Sequence, residues 1–103
     1  LKCVEIRNDM GWCDDVNFPK KYNRRIKISE KIRHEKLKRK DNQYDLFIPI
    51  KYNYKRPIPG LGSCIFIHLT SNYKPTAGCI ALKKKDFLIL AKIIKKNSKI
   101  KIF

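Results

Sequence analysis

The sequence reads as mixed elements, mostly strands with one firm helix, and three observations carry that reading. Apolar residues alternate along residues 44–50 and 64–69, proline and glycine punctuate the stretches between, and one segment alone, 86–96, has clear helical spacing. In chain order, residues 3–6 (CVEI) read as a short strand that runs into a polar turn at 8–11. Residues 12–23 read as loop, because Pro19 and the Asp14-Asp15 pair disfavour regular structure. The segment 29–41 (SEKIRHEKLKRKD) predicts a short basic helix with Ser29 as N-cap, although Ile32 and Leu37 give it only a thin apolar stripe.

Beyond it, Tyr44, Leu46, Ile48 and Ile50 alternate with Asp45, Phe47 and Pro49, which reads as a strand whose proline favours an edge or a bulge. Residues 52–61, with Pro57, Pro59 and Gly60, form a rigid loop into the next strand. That strand ends at His68, with Cys64, Phe66 and His68 on one face and Ile65, Ile67 and Leu69 on the other. Residues 70–78 are loop. In 86–96, Asp86 is the expected N-cap; Phe87, Leu90, Ala91 and Ile94 make the apolar stripe, and Lys95 and Lys96 suit the C-terminal dipole. Ile100 and Ile102 alternate with lysines as a final strand.

At 103 residues the chain is a single domain, and no run of about 18 apolar residues makes a membrane span. A net charge of +16 gives salt-sensitive attraction to any polyanion. Nineteen of the 25 basic residues are lysine and 15 residues are isoleucine, a bias that an AT-rich genome imposes on any fold. The basic residues are spread along the chain without an RNA-binding signature or a recognition-helix pattern, so no specific nucleic-acid partner is expected. Cysteines stand at 3, 13, 64 and 79 and histidines at 34 and 68, with no CxxC pair, so no metal is expected. An oxidising compartment would allow a Cys3–Cys13 disulfide.

The chemistry concentrates in GSCIFIHLTSNYKPTAGCIAL, residues 62–82. A histidine at the end of a strand and a cysteine eleven residues on, just after a glycine, suit thiol chemistry. A free cysteine is a few per cent thiolate at neutral pH and needs a base or a positive neighbour to act as nucleophile. The same spacing is open to a buried histidine and an inert buried thiol. Cys64 reads as a small buried strand residue. Asp14-Asp15 offers paired acids, though adjacent carboxylates more often cap turns. Tyr22, Asn23 and Arg24 offer contacts to a substrate carboxylate or simply form a solvated surface.

Gly62 to His68, then Pro75-Thr76-Ala77-Gly78-Cys79, resemble the active-site region of YkuD-type L,D-transpeptidases, the bacterial cell-wall cross-linking enzymes. The closest likeness is to a divergent branch with Pro-Thr-x-Gly-Cys in place of Ser-His-Gly-Cys. Gly11-Trp12-Cys13-Asp14-Asp15, Tyr22-Asn23, His34-Glu35, Tyr44-Asp45-Leu46 and Tyr52-Asn53 extend the resemblance over nearly the whole chain. Two departures stand out: Ala77 replaces a second histidine of the main family, and Ala81 replaces its usual Arg or Asn.

The resemblance implies a mainly β, sandwich-like catalytic domain over residues 1–103, with one helix after the nucleophile. The family's domain normally has further strands before this point, so an N-terminally incomplete domain is expected. Cys79 is the implied nucleophile and His68 its base, with the N–H groups of Gly78 and Cys79 stabilising the oxyanion. Ser63 and Thr76 are candidates for positioning the donor or the imidazole, beside Tyr22, Asn23 and Arg24 as substrate contacts; His34 and Glu35 are expected to make local hydrogen bonds. Peptidoglycan stem peptides are the implied partners, the bacterial envelope the implied location, and no cofactor is required. A thiol peptidase or amidase using water and a non-catalytic wall-binding module are the alternatives.

Overall fold

The computed structural model describes residues 3–71, 76 and 78–101. Two small three-stranded sheets and one helix make up its regular structure, a mainly β arrangement as the sequence predicts. In the first sheet, β1 (Met10–Cys13) lies between β2 (Arg25–Lys27) and β3 (His34–Lys36), antiparallel to both. All four residues of β1 are buried. A Cβ built on Gly11 would stand 3.0 Å from His34 Cδ2 and 3.2 Å from the Glu35 carbonyl oxygen. Close strand approach therefore requires glycine here. That is why the sequence misleads: Gly11 reads as a turn residue but serves as the centre of a strand, and residues 3–6 are not in a strand.

The basic segment expected to be a helix is also a strand. Six Lys and Arg side chains crowd residues 31–40, and like charges at helical spacing repel. Pairing with β1 satisfies the backbone instead, while Ile32 and Leu37, on either side of β3, are both buried. Tertiary pairing overrides helix propensity here.

In the second sheet, β5 (Phe66–Leu69) lies between β4 (Phe47–Pro49), antiparallel to it, and β6 (Ile80–Leu82), parallel to it. Pro49 falls on the edge strand, as a residue without an N–H must. The strand expected over 44–50 shrinks to 47–49, and Tyr44 sits in the turn before it. The helix α1 (Lys84–Ile93) starts two residues earlier than expected. Its N-cap is Lys83, which makes no side-chain cap bond, and Asp86 lies in the first turn, where a carboxylate still favours the dipole. Phe87 is its buried residue, and α1 contacts β5 and β6. Ile100 lies outside any strand, and Ile102 lies outside the described residues. Among the described residues, no helix is long and apolar enough to cross a membrane.

The sheets meet through aromatic rings. Phe66 is fully buried, with the Trp12 ring edge-on at 5.1 Å, Tyr44 edge-on at 5.3 Å and Phe47 at 4.7 Å. Met10, Leu37 and Cys64 complete the cluster, and Cys79 packs against it. Two asparagines in the left-handed region lock the loops around this core. Asn23 (φ 55°) accepts a bond from Trp12 Nε1 at 2.9 Å and donates to the Tyr52 and Asn53 carbonyls. Asn53 (φ 51°) accepts from the Ile58 N–H and donates to the Ile58 and Gly62 carbonyls.

Gly11→Ala is expected to destabilise the fold by about 1–3 kcal/mol, the usual range for an overpacked site. Urea denaturation checks this, and an unchanged midpoint would show that β3 yields to the methyl group.

Candidate active site

Strand β5 is hydrogen-bonded on both sides, so the side chains it carries are held by a rigid element. His68 is paired with Phe47 on one side and Ala81 on the other. Its ring is buried and meets the Tyr44 ring edge-on at 5.4 Å. His68 Nδ1 lies 2.8 Å from the Leu69 carbonyl oxygen. A carbonyl only accepts, so in the neutral ring Nδ1 carries the proton and Nε2 keeps the lone pair that a base needs.

Cys79 immediately precedes β6. The parallel register sets Ala81 beside His68 and places Cys79 two residues back, roughly 7 Å along the strand direction. There the half-buried sulfur meets the segment leading into β5. The Cys79 thiol donates to the Cys64 carbonyl at 3.0 Å, and the Phe66 N–H approaches the sulfur at 3.5 Å. Cys64 makes this cradle by adopting φ 62°, a conformation that costs a non-glycine residue about 1–2 kcal/mol. It is buried, as expected, but it stands ahead of β5 and outside the strand's alternation.

Burial, above all, pushes the Cys79 thiol above its ordinary value; the Phe66 N–H works against this, and the negative charge of Glu35 adds to it. Cys64 is raised further, chiefly by burial and then by Glu35. Both shifts favour the neutral thiol over the thiolate. Cys79 and His68 each bond to backbone groups, Cys79 to the Cys64 carbonyl and the Phe66 N–H and His68 to the Leu69 carbonyl.

The other residues singled out in the sequence surround this centre at different removes. Thr76 Oγ1 donates to the Cys79 carbonyl and so ties down the residue that carries the sulfur. Ser63 Oγ donates to the Cys13 carbonyl at 2.6 Å, which anchors the Cys64 cradle to the first sheet. Tyr22 is buried, and its hydroxyl accepts from the Gly62 N–H at 3.3 Å. Asn23 is likewise buried among its three bonds. Arg24 donates to the Asn23 and Lys55 carbonyls and lies over the Tyr54 ring at 4.3 Å. These three residues shape the loop that delivers Gly62, Ser63 and Cys64. Gly78 (φ 121°) needs glycine for its conformation rather than for space. Pro75 and Ala77 lie outside the described residues.

His34 makes a local bond, Nδ1 to the Ile32 carbonyl at 2.7 Å, whereas Glu35 reaches Tyr44, whose hydroxyl donates to it at 2.7 Å. Asp15 caps the turns around it, accepting from the Asn17 and Arg33 N–H groups. All four cysteines are free, with Cys3 exposed and Cys13 buried. Among the described residues, Asp14, Glu35 and Cys64 bring ligand atoms within 4.8 Å of one another. One oxygen of the Glu35 carboxylate in this group already accepts from the Tyr44 hydroxyl.

Residues 10–102 match the family profile of the L,D-transpeptidase (YkuD) catalytic domain, and the chain belongs to that family. Searches of curated proteins and of solved structures give no match. Sequence reasoning missed the Cys64 carbonyl and the Phe66 amide. Both are backbone groups, and only the geometry of the cradle gives them away.

Alkylation of Cys79 by iodoacetamide in the folded protein is expected to rise with pH through a midpoint above about 8.5, the value of a free cysteine. Site-resolved mass spectrometry checks this. A midpoint well below that value would mean a resting thiolate–imidazolium pair.

Proposed function

We propose that this protein is a cysteine acyltransferase acting on peptidoglycan stem peptides in the bacterial envelope. The observation that carries the reading is the seat of Cys79, held between the Phe66 N–H and the Cys64 carbonyl beside the strand that carries His68. Nε2 of His68 takes the thiol proton as the sulfur attacks the carbonyl joining the third stem residue to its terminal D-alanine. The N–H groups of Cys79 and Gly78 face the oxyanion of the tetrahedral intermediate. Its collapse breaks the C–N bond, the imidazolium returns the proton to the departing D-alanine amine, and a thioester remains on Cys79. The amine of a neighbouring stem then attacks the thioester and releases the thiol; water in its place gives a carboxypeptidase.

The Phe66 N–H supports this chemistry by favouring the thiolate as it forms, while the Leu69 carbonyl holds the imidazole in one tautomer. Ala81 beside His68 is a small apolar residue where the main family usually carries Arg or Asn. Substrate contacts there differ from the main family's accordingly.

Exposure to a carbapenem, an acyl-donor analogue for this chemistry, is expected to add one covalent adduct by intact mass. Cys79→Ala should abolish it, and His68→Ala should slow it by about 10²–10⁴, the usual contribution of a positioned base. No adduct on folded protein would favour a wall-binding module without catalysis.

A further inference from the structure

Tyr44 and Glu35 lie outside the thiol–imidazole pair, yet Tyr44 packs on His68 and Glu35 stands near Cys64. Tyr44 is buried, its ring meets the His68 ring edge-on at 5.4 Å, and its hydroxyl donates to Glu35 at 2.7 Å. The Glu35 carboxylate lies within 4.8 Å of the Cys64 sulfur, and the Cys64 carbonyl is the acceptor of the Cys79 thiol proton. One hydrogen bond therefore joins a ring packed edge-on against His68 to a charge near Cys64, whose carbonyl holds the Cys79 thiol.

We propose that Glu35, held in place by Tyr44, is a positioning residue that keeps Cys79 a neutral thiol at rest. The inference deepens the acyltransferase reading and takes from it the role of Cys79. A fixed negative charge within 4.8 Å of the sulfur of Cys64, the residue whose carbonyl accepts from the Cys79 thiol, opposes a second negative charge at that end of the site. The thiol then gives up its proton only when His68 can take it, and the imidazolium so formed offsets the charge of the thiolate. The titratable groups around Cys79 are His68 on β5, Cys64 before it, Glu35 on β3 and Tyr44 before β4. Asp14, after β1, faces Cys64 and is paired with Arg33 at 3.6 Å. Glu35 is the member of this set whose charge is tied by a buried donor and stands within 4.8 Å of the Cys64 sulfur.

The test is the pH dependence of Cys79 alkylation by iodoacetamide, read on the Cys79 peptide, in the wild type, Glu35→Gln, Glu35→Asp and Tyr44→Phe. Glu35→Gln is expected to move the midpoint to lower pH and raise the rate at neutral pH severalfold. Glu35→Asp keeps the charge and should keep a midpoint near that of the wild type. In Tyr44→Phe the carboxylate loses its buried donor and turns to water, so the midpoint moves down as with Gln. A merely structural Glu35 would change thermal stability and leave the midpoint alone. An unmoved midpoint in folded Glu35→Gln overturns the proposal, and if the Gln variant does not fold, an unmoved midpoint in Tyr44→Phe overturns it equally. Iodoacetamide requires no peptidoglycan chemistry. A shifted midpoint in a protein that no carbapenem acylates would therefore uphold the role of Glu35 and remove only the acyltransferase reading.

Discussion

The ring of Phe66 is fully buried among Trp12, Tyr44 and Phe47, while the backbone N–H of the same residue points at the sulfur of Cys79. Packing of the two sheets and placement of the Cys79 sulfur thus converge on one position of β5. If the ring moves, the amide moves with it, and so does the strand that carries His68 two residues on. Most other contacts near the site serve that arrangement. Ser63 anchors the approach to β5 on Cys13, Asn53 holds Gly62, and Asn23 ties Trp12 to the loop that carries Asn53. Several buried polar bonds, each worth about 1 kcal/mol net, act here more by excluding alternatives than by their sum.

What is legible in the sequence follows from where the signals are local. The helix after Cys79 and the His68 strand carry their periodicity within a few residues, and both form, with boundaries shifted by about a turn or less. Met10–Cys13 and His34–Lys36 are not legible, because their strand character comes from each other. Gly11 is informative only once the facing strand is known to press on it. The same limit applies to the site. His68 and Cys79 stand out by residue type, and their resemblance to one family agrees with the match over residues 10–102. Asn23 reads as a surface candidate in sequence because nothing local reveals that both ends of its amide find partners, one of them thirty residues away.

Charge behaves differently at the two scales of this molecule. Globally the chain is strongly cationic, which favours approach to anionic polymers without choosing among them. Locally, the centre that holds the two thiols is bordered by Asp14 and Glu35, so its immediate field is acidic. A long-range field that gathers polyanions and a short-range field that opposes thiolate formation coexist because screening separates them: exposed lysines act over a Debye length of about 8–10 Å in ordinary salt, a half-buried carboxylate over a few ångströms of poorly screened protein.

Strands β5 and β6 run parallel, so the chain must return from the end of one to the start of the other before Cys79 can reach its place. Parallel pairs cannot be closed by a tight turn, and non-local pairing of this kind forms slowly. Until β6 docks, Cys79 has neither the Phe66 amide nor the Cys64 carbonyl at hand and is an ordinary thiol on an open chain. The reactivity of this one sulfur therefore reports whether β6 is in place against β5.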